Sequence, residues 1–261
     1  MVRRRHADRG PRRPRRSAVP LAQLPLASRL FLAFLLAFAL NTAWQLVRKP
    51  TEVLGVVVPP SPKTPEATWA EYGDLFREHS TDVISPALLA ALVQVESAGD
   101  PVARTYWRWR WTWNPFEVYA PASSAVGILQ ITDGNFQDAR KLCIHGHRVA
   151  RDGSWLDPGA CWFNALYFRT VPGDAIEMTS AWLHVGVVDA LARAGVARAT
   201  PEEQVRLAAV LHLCGRERGA AFARRGFRAS PGERCGDHGV RDYVARVAAL
   251  ETLFARMDAA R

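Results

Sequence analysis

Leu30 to Val47 is an 18-residue stretch without charge, closed by Arg29 on one side and Arg48-Lys49 on the other. A helix needs about 18 to 20 apolar residues to cross a bilayer, so the run reads as a single membrane span. Asn41, Thr42 and Gln45 weaken its second half, while Trp44 suits a membrane interface. The triplet Ala37-Phe38-Ala39 offers a small-x-small site, so a cleaved signal peptide is the other reading of the same segment. Under both readings the arginines stay in the cytoplasm and everything after the run is exported. The expected location is the inner membrane, with the N-terminus cytoplasmic and the main domain periplasmic.

The charge distribution supports that division. Of the formal +9, residues 1–49 hold 11 Lys/Arg against one acid, while the other 212 residues carry 23 Lys/Arg against 24 acids. A basic chain suggests nucleic acid, but here the positive charge is confined to a tail before the span, and positive-inside retention explains it. No nucleic-acid partner is expected.

Four segments follow: a basic tail at 1–29, the span at 30–47, a proline-rich linker at 48–65 and a domain at 66–261. The linker reads KPTEVLGVVVPPSPKTP, whose prolines forbid a regular helix. Its apolar run Val53 to Val58 is alternatively a strand laid against the domain. Beyond residue 66 the pattern is helical almost throughout. Trp69, Tyr72, Phe76 and His79 mark a first amphipathic helix. Further helices are expected from Asn135 to Leu142, from Asp174 as N-cap to Gly195, from the capping box Thr200-Pro201-Glu202-Glu203 to Gly215, and from His238 to Met257.

The second helix of the domain carries the chemistry. Ser85 is its N-cap and Pro86 its first residue, and Ala87 through Val95 are apolar except for Gln94. Leu88 and Leu92 stand four apart, so the same spacing puts Glu96 on the buried face, just before the turn Ser97-Ala98-Gly99-Asp100-Pro101. Burial disfavours the charged form of a carboxylic acid, and an acid that keeps its proton near neutral pH is a general acid. The plainer alternative is a helix-terminal glutamate that turns to solvent or pairs with Arg104.

Glu96-Ser97, Asp100-Pro101-Val102-Ala103 and Ala125-Val126-Gly127-Ile128-Leu129-Gln130 together resemble the lytic transglycosylase SLT domain of the goose-lysozyme-like superfamily, over about residues 80 to 254. The resemblance implies an α-dominated (α+β) fold: a lysozyme-like helical domain with a small β-region. It also implies cleavage of peptidoglycan glycan strands between N-acetylmuramic acid and N-acetylglucosamine. Glu96 would be the acid and then the base. Ser97 would fix local geometry or hydrogen-bond within the substrate groove, Gln130 would line the cleft with Gly127 allowing close backbone approach, and Tyr243 would reach the catalytic carboxyl. The family's Ala-Tyr-Asn-Ala-Gly segment stands here as Leu211-His212-Leu213-Cys214-Gly215, so His212 and Leu213 replace two sugar-contacting residues. The reaction needs no cofactor and no metal.

Trp107, Trp109, Trp111 and Trp113 alternate with Arg108, Arg110 and Thr112, which is strand periodicity with indoles on one face. Indoles stack on sugar rings, so Trp107, Trp109 and Trp111 are candidate groove residues; packing in a local core or a place in the headgroup layer are the alternatives. Cys143, Cys161, Cys214 and Cys235 all follow the span, and an even number in an oxidising compartment implies disulfides. The sequence-local pairing 143–161 with 214–235 is the simplest of three. A metal site at Cys143-Ile144-His145-Gly146-His147 is the rival, but the spacing fits no common zinc pattern. Two other functions compete with the transglycosylase. One is a hydrolytic muramidase, with Asp100 or Asp133 activating water; the other is a wall-binding accessory of an envelope-spanning secretion or conjugation machine.

Overall fold

The computed structural model describes residues 25–49, 58–153, 156–157 and 159–260. The basic tail up to residue 24 and most of the linker, including the possible strand from Val53 up to residue 57, lie outside the described residues; Val58 is a bend. Among the described residues the protein is α-dominated, with three small antiparallel strand pairs. Helix α1 (Leu26–Arg48) encloses the uncharged run and is long and apolar enough to cross a membrane. Then come α2 (Pro65–Glu78), α3 (Pro86–Ser97), the pair β1 (Trp107–Trp109) and β2 (Tyr119–Pro121), α4 (Asp133–Ala139), and the pair β3 (Leu142–His145) and β4 (Arg148–Arg151). A 3-10 turn at Trp162–Leu166 precedes α5 (Pro172–Ala194), α6 (Pro201–Cys214) and α7 (Arg216–Arg224). The pair β5 (Arg234–Cys235) and β6 (His238–Gly239) leads into α8 (Val240–Ala259).

α3 is the hub of the domain. Leu88 through Val93 are all at most 1 % exposed, so this helix is enclosed on every side rather than along one stripe. Its start is fixed by Ser85, whose hydroxyl accepts from the Leu88 N–H at 3.1 Å, a cap worth about 1 kcal/mol. Gln94, the polar exception, accepts from Thr68 Oγ1 (2.7 Å) and donates to the Lys63 carbonyl (2.9 Å), binding α3 to the start of α2. α8 makes the most extensive helix pairing with α3, and α6 packs on α8.

Four expectations need correction. The helix expected at Asn135 to Leu142 begins at Asp133 and stops at Ala139, because Leu142 already pairs with Arg151 in β3–β4. That hairpin turns on Gly146 and His147, both at positive φ (53° and 64°), as a two-residue primed turn requires. Asp174 is not an N-cap: Pro172 opens α5 two residues earlier, and the Asp174 carboxylate accepts from the Phe168 N–H at 2.9 Å. After Gly215 the chain resumes as α7, which the sequence reading left without structure. The tryptophan strand ends at Trp109, since β2 is only three residues long and the pairing continues no further than Arg110 N–H to the Val118 carbonyl.

Candidate active site

The last turn of α3 carries Glu96 and Ser97, and Ala98 then turns the chain in the left-handed conformation (φ 50°). The close α3–α8 packing brings Tyr243, in the first turn of α8, onto Glu96, and its hydroxyl donates to Glu96 Oε1. His212 Nε2, from the last turn of α6, stands 3.5 Å from the same oxygen. The His238 ring meets Tyr243 edge-on at 6.4 Å. Side-chain exposure is 18 % for Glu96 and 9 % for His212, so the carboxylate is sheltered yet still open to a ligand. Arg104, the alternative partner, is exposed on the surface.

Burial acts to raise the pKa of Glu96, but it does not decide the outcome. The hydrogen bond and charge of His212, the Tyr243 hydroxyl and the charge of His238 together hold the carboxyl below its ordinary value of 4.5. This corrects the expectation of an acid kept protonated by burial alone: at neutral pH the resting carboxyl is ionised. Tyr243 is pushed well above 10 by burial and by the adjacent carboxylate, so it remains a permanent donor. Since the folded pKa of Glu96 lies below the unfolded one, its ionisation contributes stability above about pH 4.5, which is lost as pH falls through the folded value.

His212→Phe removes the bond and charge that oppose burial, so the Glu96 titration should move to higher pH. A carbon-13 carboxyl NMR titration reads this directly. A midpoint that stays or falls would show that His212 does not hold Glu96 ionised.

Ser97 Oγ donates to the Ile128 carbonyl at 2.7 Å, fastening the end of α3 to the Gly-Ile-Leu-Gln segment. Gln130, in the left-handed region at φ 46°, donates from Nε2 to the carbonyls of Gly127 (2.9 Å) and Ala103 (3.1 Å). Gln130 and His212 line one depression with Trp182 and Thr179. The close approach at Gly127 is not to a ligand but to the chain itself, since a Cβ there would lie 1.9 Å from the Arg169 carbonyl oxygen.

The tryptophans separate. Trp107 shares a depression with Ser97, Ala103 and Thr105. Trp109 instead packs at a tilt against Tyr119 and stacks on Phe38 of α1, and Trp111 projects fully into the surroundings. Neither lines the depression that holds Gln130 and His212, and the hairpin leans on α1.

The two other carboxylates considered for activating water are engaged. Asp100 is buried and accepts from the N–H groups of Val102 (3.0 Å) and Ser61 (3.2 Å); Asp133 pairs with Arg169 at 2.9 Å. The cysteines are joined 143–161 and 214–235. The first bond leaves Cys143 without a thiolate for a metal. The second ties the end of α6, two residues after His212, to β5, three residues before His238.

Sequence reasoning missed His238 and Arg169. The guanidinium of Arg169 donates to the carbonyls of Ser124 (3.1 Å) and Ile131 (2.8 Å), clamping the segment that carries Gln130. No sequence motif marked either residue. Compared with known proteins, the sequence matches no family model and no curated relative.

Proposed function

We propose that the protein is a membrane-anchored lytic transglycosylase with a lysozyme-like domain, cleaving peptidoglycan glycan strands with Glu96 as acid and then base. The observation that carries the reading is the Tyr243 to Glu96 hydrogen bond, between residues 147 apart in sequence, on a carboxylate whose side chain keeps 18 % exposure. The SLT-like motif calls for that contact. The anchoring half of the proposal rests on α1.

In the proposed reaction the acid protonates the oxygen leaving C1 of N-acetylmuramic acid. The substrate's own N-acetyl group stabilises the charge at C1. The carboxylate then takes the proton of the C6 hydroxyl, whose oxygen closes onto C1 as a 1,6-anhydro ring. No water is consumed, which agrees with Asp100 and Asp133 both being occupied elsewhere.

The resting ionisation of Glu96 is compatible with this scheme, because a sugar chain laid over the carboxylate withdraws water from it and favours its protonated form, the acid that the first step needs. The nearby Tyr243 donor steadies the carboxylate once it has acted.

Purified peptidoglycan digested with the full chain in detergent, with products weighed by mass spectrometry, tests the reading. Muropeptides ending in 1,6-anhydro-N-acetylmuramic acid are expected. Reducing ends would make the enzyme a hydrolytic muramidase, and intact glycan retained by the protein would make it a wall-binding accessory.

A further inference from the structure

The hairpin from Trp107 to Pro121 is attached to the helix read as a membrane span, along the second half of its uncharged run. Phe38 of α1 stacks on Tyr119 (5.8 Å) and Trp109 (6.4 Å), and Trp44 meets Phe116 at 5.7 Å. Asn41 Nδ2 donates to the Tyr119 carbonyl at 2.7 Å, Gln45 Nε2 donates to the Phe116 carbonyl, and Lys49 Nζ donates to Thr105 Oγ1 (2.8 Å) and the Ser123 carbonyl (3.1 Å).

Helix length then decides where the hairpin lies. At ~1.5 Å per residue the uncharged run is about 27 Å long, barely the ~30 Å of a hydrocarbon core. If the hairpin and its contact residues stood clear of the membrane, only Leu26–Ala37 would remain, about 18 Å of helix, too short to cross. A spanning α1 therefore carries Phe38 roughly 14 Å below the end of the run, and the hairpin goes down with it. The side-chain amide N–H groups of Asn41 and Gln45, costly in lipid without acceptors, find them in the hairpin's backbone carbonyls.

The exposed surface of the hairpin has the matching composition. Trp111 and Trp113 are fully exposed (106 % and 104 %), Trp109 is 63 % exposed, and the exposed Arg108 and Arg110 lie between them in sequence. Indoles collect at the membrane interface and guanidinium groups reach lipid phosphates. We propose that this hairpin is embedded in the leaflet facing the domain, from the headgroup layer inward along α1, with Trp111 and Trp113 as lipid anchors. It thereby fixes the domain's orientation against the bilayer. The inference rests on α1 spanning the membrane and is independent of the reaction at Glu96.

The test uses the full chain in vesicles of phosphatidylcholine and phosphatidylglycerol, with a nitrobenzoxadiazole label on Trp111→Cys or Trp113→Cys. All four native cysteines are disulfide-bonded, so the new thiol takes the label. Arg198→Cys is the reference, exposed beyond the far end of α5, whose 23 residues put it about 35 Å from that helix's start. Labels at 111 and 113 should be quenched by lipids brominated near the headgroup and react with aqueous dithionite about tenfold more slowly than the label at 198. If they react as fast as at 198 while the chain survives alkaline carbonate washing, the hairpin is aqueous and the inference fails although the anchor stands. If carbonate strips the chain, the anchor and the inference fall together. Protection that arises only on adding soluble glycan fragments would overturn it in favour of a sugar-binding hairpin.

Discussion

Replacing Glu96 by glutamine should lower the rate of anhydro-muropeptide release about 10³- to 10⁴-fold, because one group supplies both proton transfers in the proposed reaction. The fold should survive. Glutamine offers a carbonyl oxygen in place of the carboxylate oxygen, so Tyr243 keeps an acceptor, and the melting temperature should move by only a few degrees. Tyr243→Phe removes one hydrogen bond to a charged group, worth about 1.5–3 kcal/mol, and should cost about 10- to 100-fold while leaving the products anhydro. The comparison is read as initial rates on purified peptidoglycan alongside thermal melts. A Glu96→Gln protein that retains more than a tenth of the activity at an unchanged melting temperature would remove this residue from the reaction.

The parts of the site that were legible in the sequence are those fixed by local chemistry. Ser85-Pro86 sets the start of α3, and the apolar run fixes where Glu96 falls on it. The Tyr243 contact was legible only through the motif, because nothing local to α8 says which helix it will meet. His238 was invisible for the same reason. Its neighbours are set by a two-residue strand pair and the Cys214–Cys235 bond.

The ionisation of Glu96 was read in the wrong direction because a sequence shows burial through periodicity but does not show which bases converge on the buried group. The alternating tryptophans were read as a longer strand for a different reason. Their alternation is real, but a strand needs a partner, and β2 supplies only Tyr119–Pro121. Conversely, Asn41 and Gln45 looked like flaws in the apolar run. They are the residues through which α1 holds the hairpin.

Gly127→Ala should be strongly destabilising although it removes no side chain from the site. The Val126 to Ile131 turn folds back on itself, with Ile131 N–H donating to the Val126 carbonyl at 3.0 Å and Gln130 N–H to the Gly127 carbonyl at 3.1 Å. Gly127 sits at φ 82°, a conformation costing an L-residue roughly 1–2 kcal/mol. The clash is the larger cost. The added Cβ would lie 1.9 Å from the Arg169 carbonyl oxygen and 2.9 Å from its carbon, and both are backbone atoms that no side-chain rotation moves. Arg169 is itself held by the carbonyls of Ser124 and Ile131 and by Asp133, so the two segments cannot part without breaking those bonds. A loss above ~3 kcal/mol is expected, lowering the melting temperature by about 10 °C in a domain of this size. Gly146→Ala separates the two costs, since its φ is also positive (53°) but nothing stands within 4 Å of its Cβ. It should lose only about 1 kcal/mol. Gly134→Ala, in α4 with open space around it, should be neutral or stabilising by up to ~1 kcal/mol. A Gly127→Ala melt no lower than that of Gly146→Ala would mean the close approach to Arg169 does not exist. If it does exist, the damage reaches the site, because the displaced segment carries both the carbonyl that holds Ser97 and the side chain of Gln130.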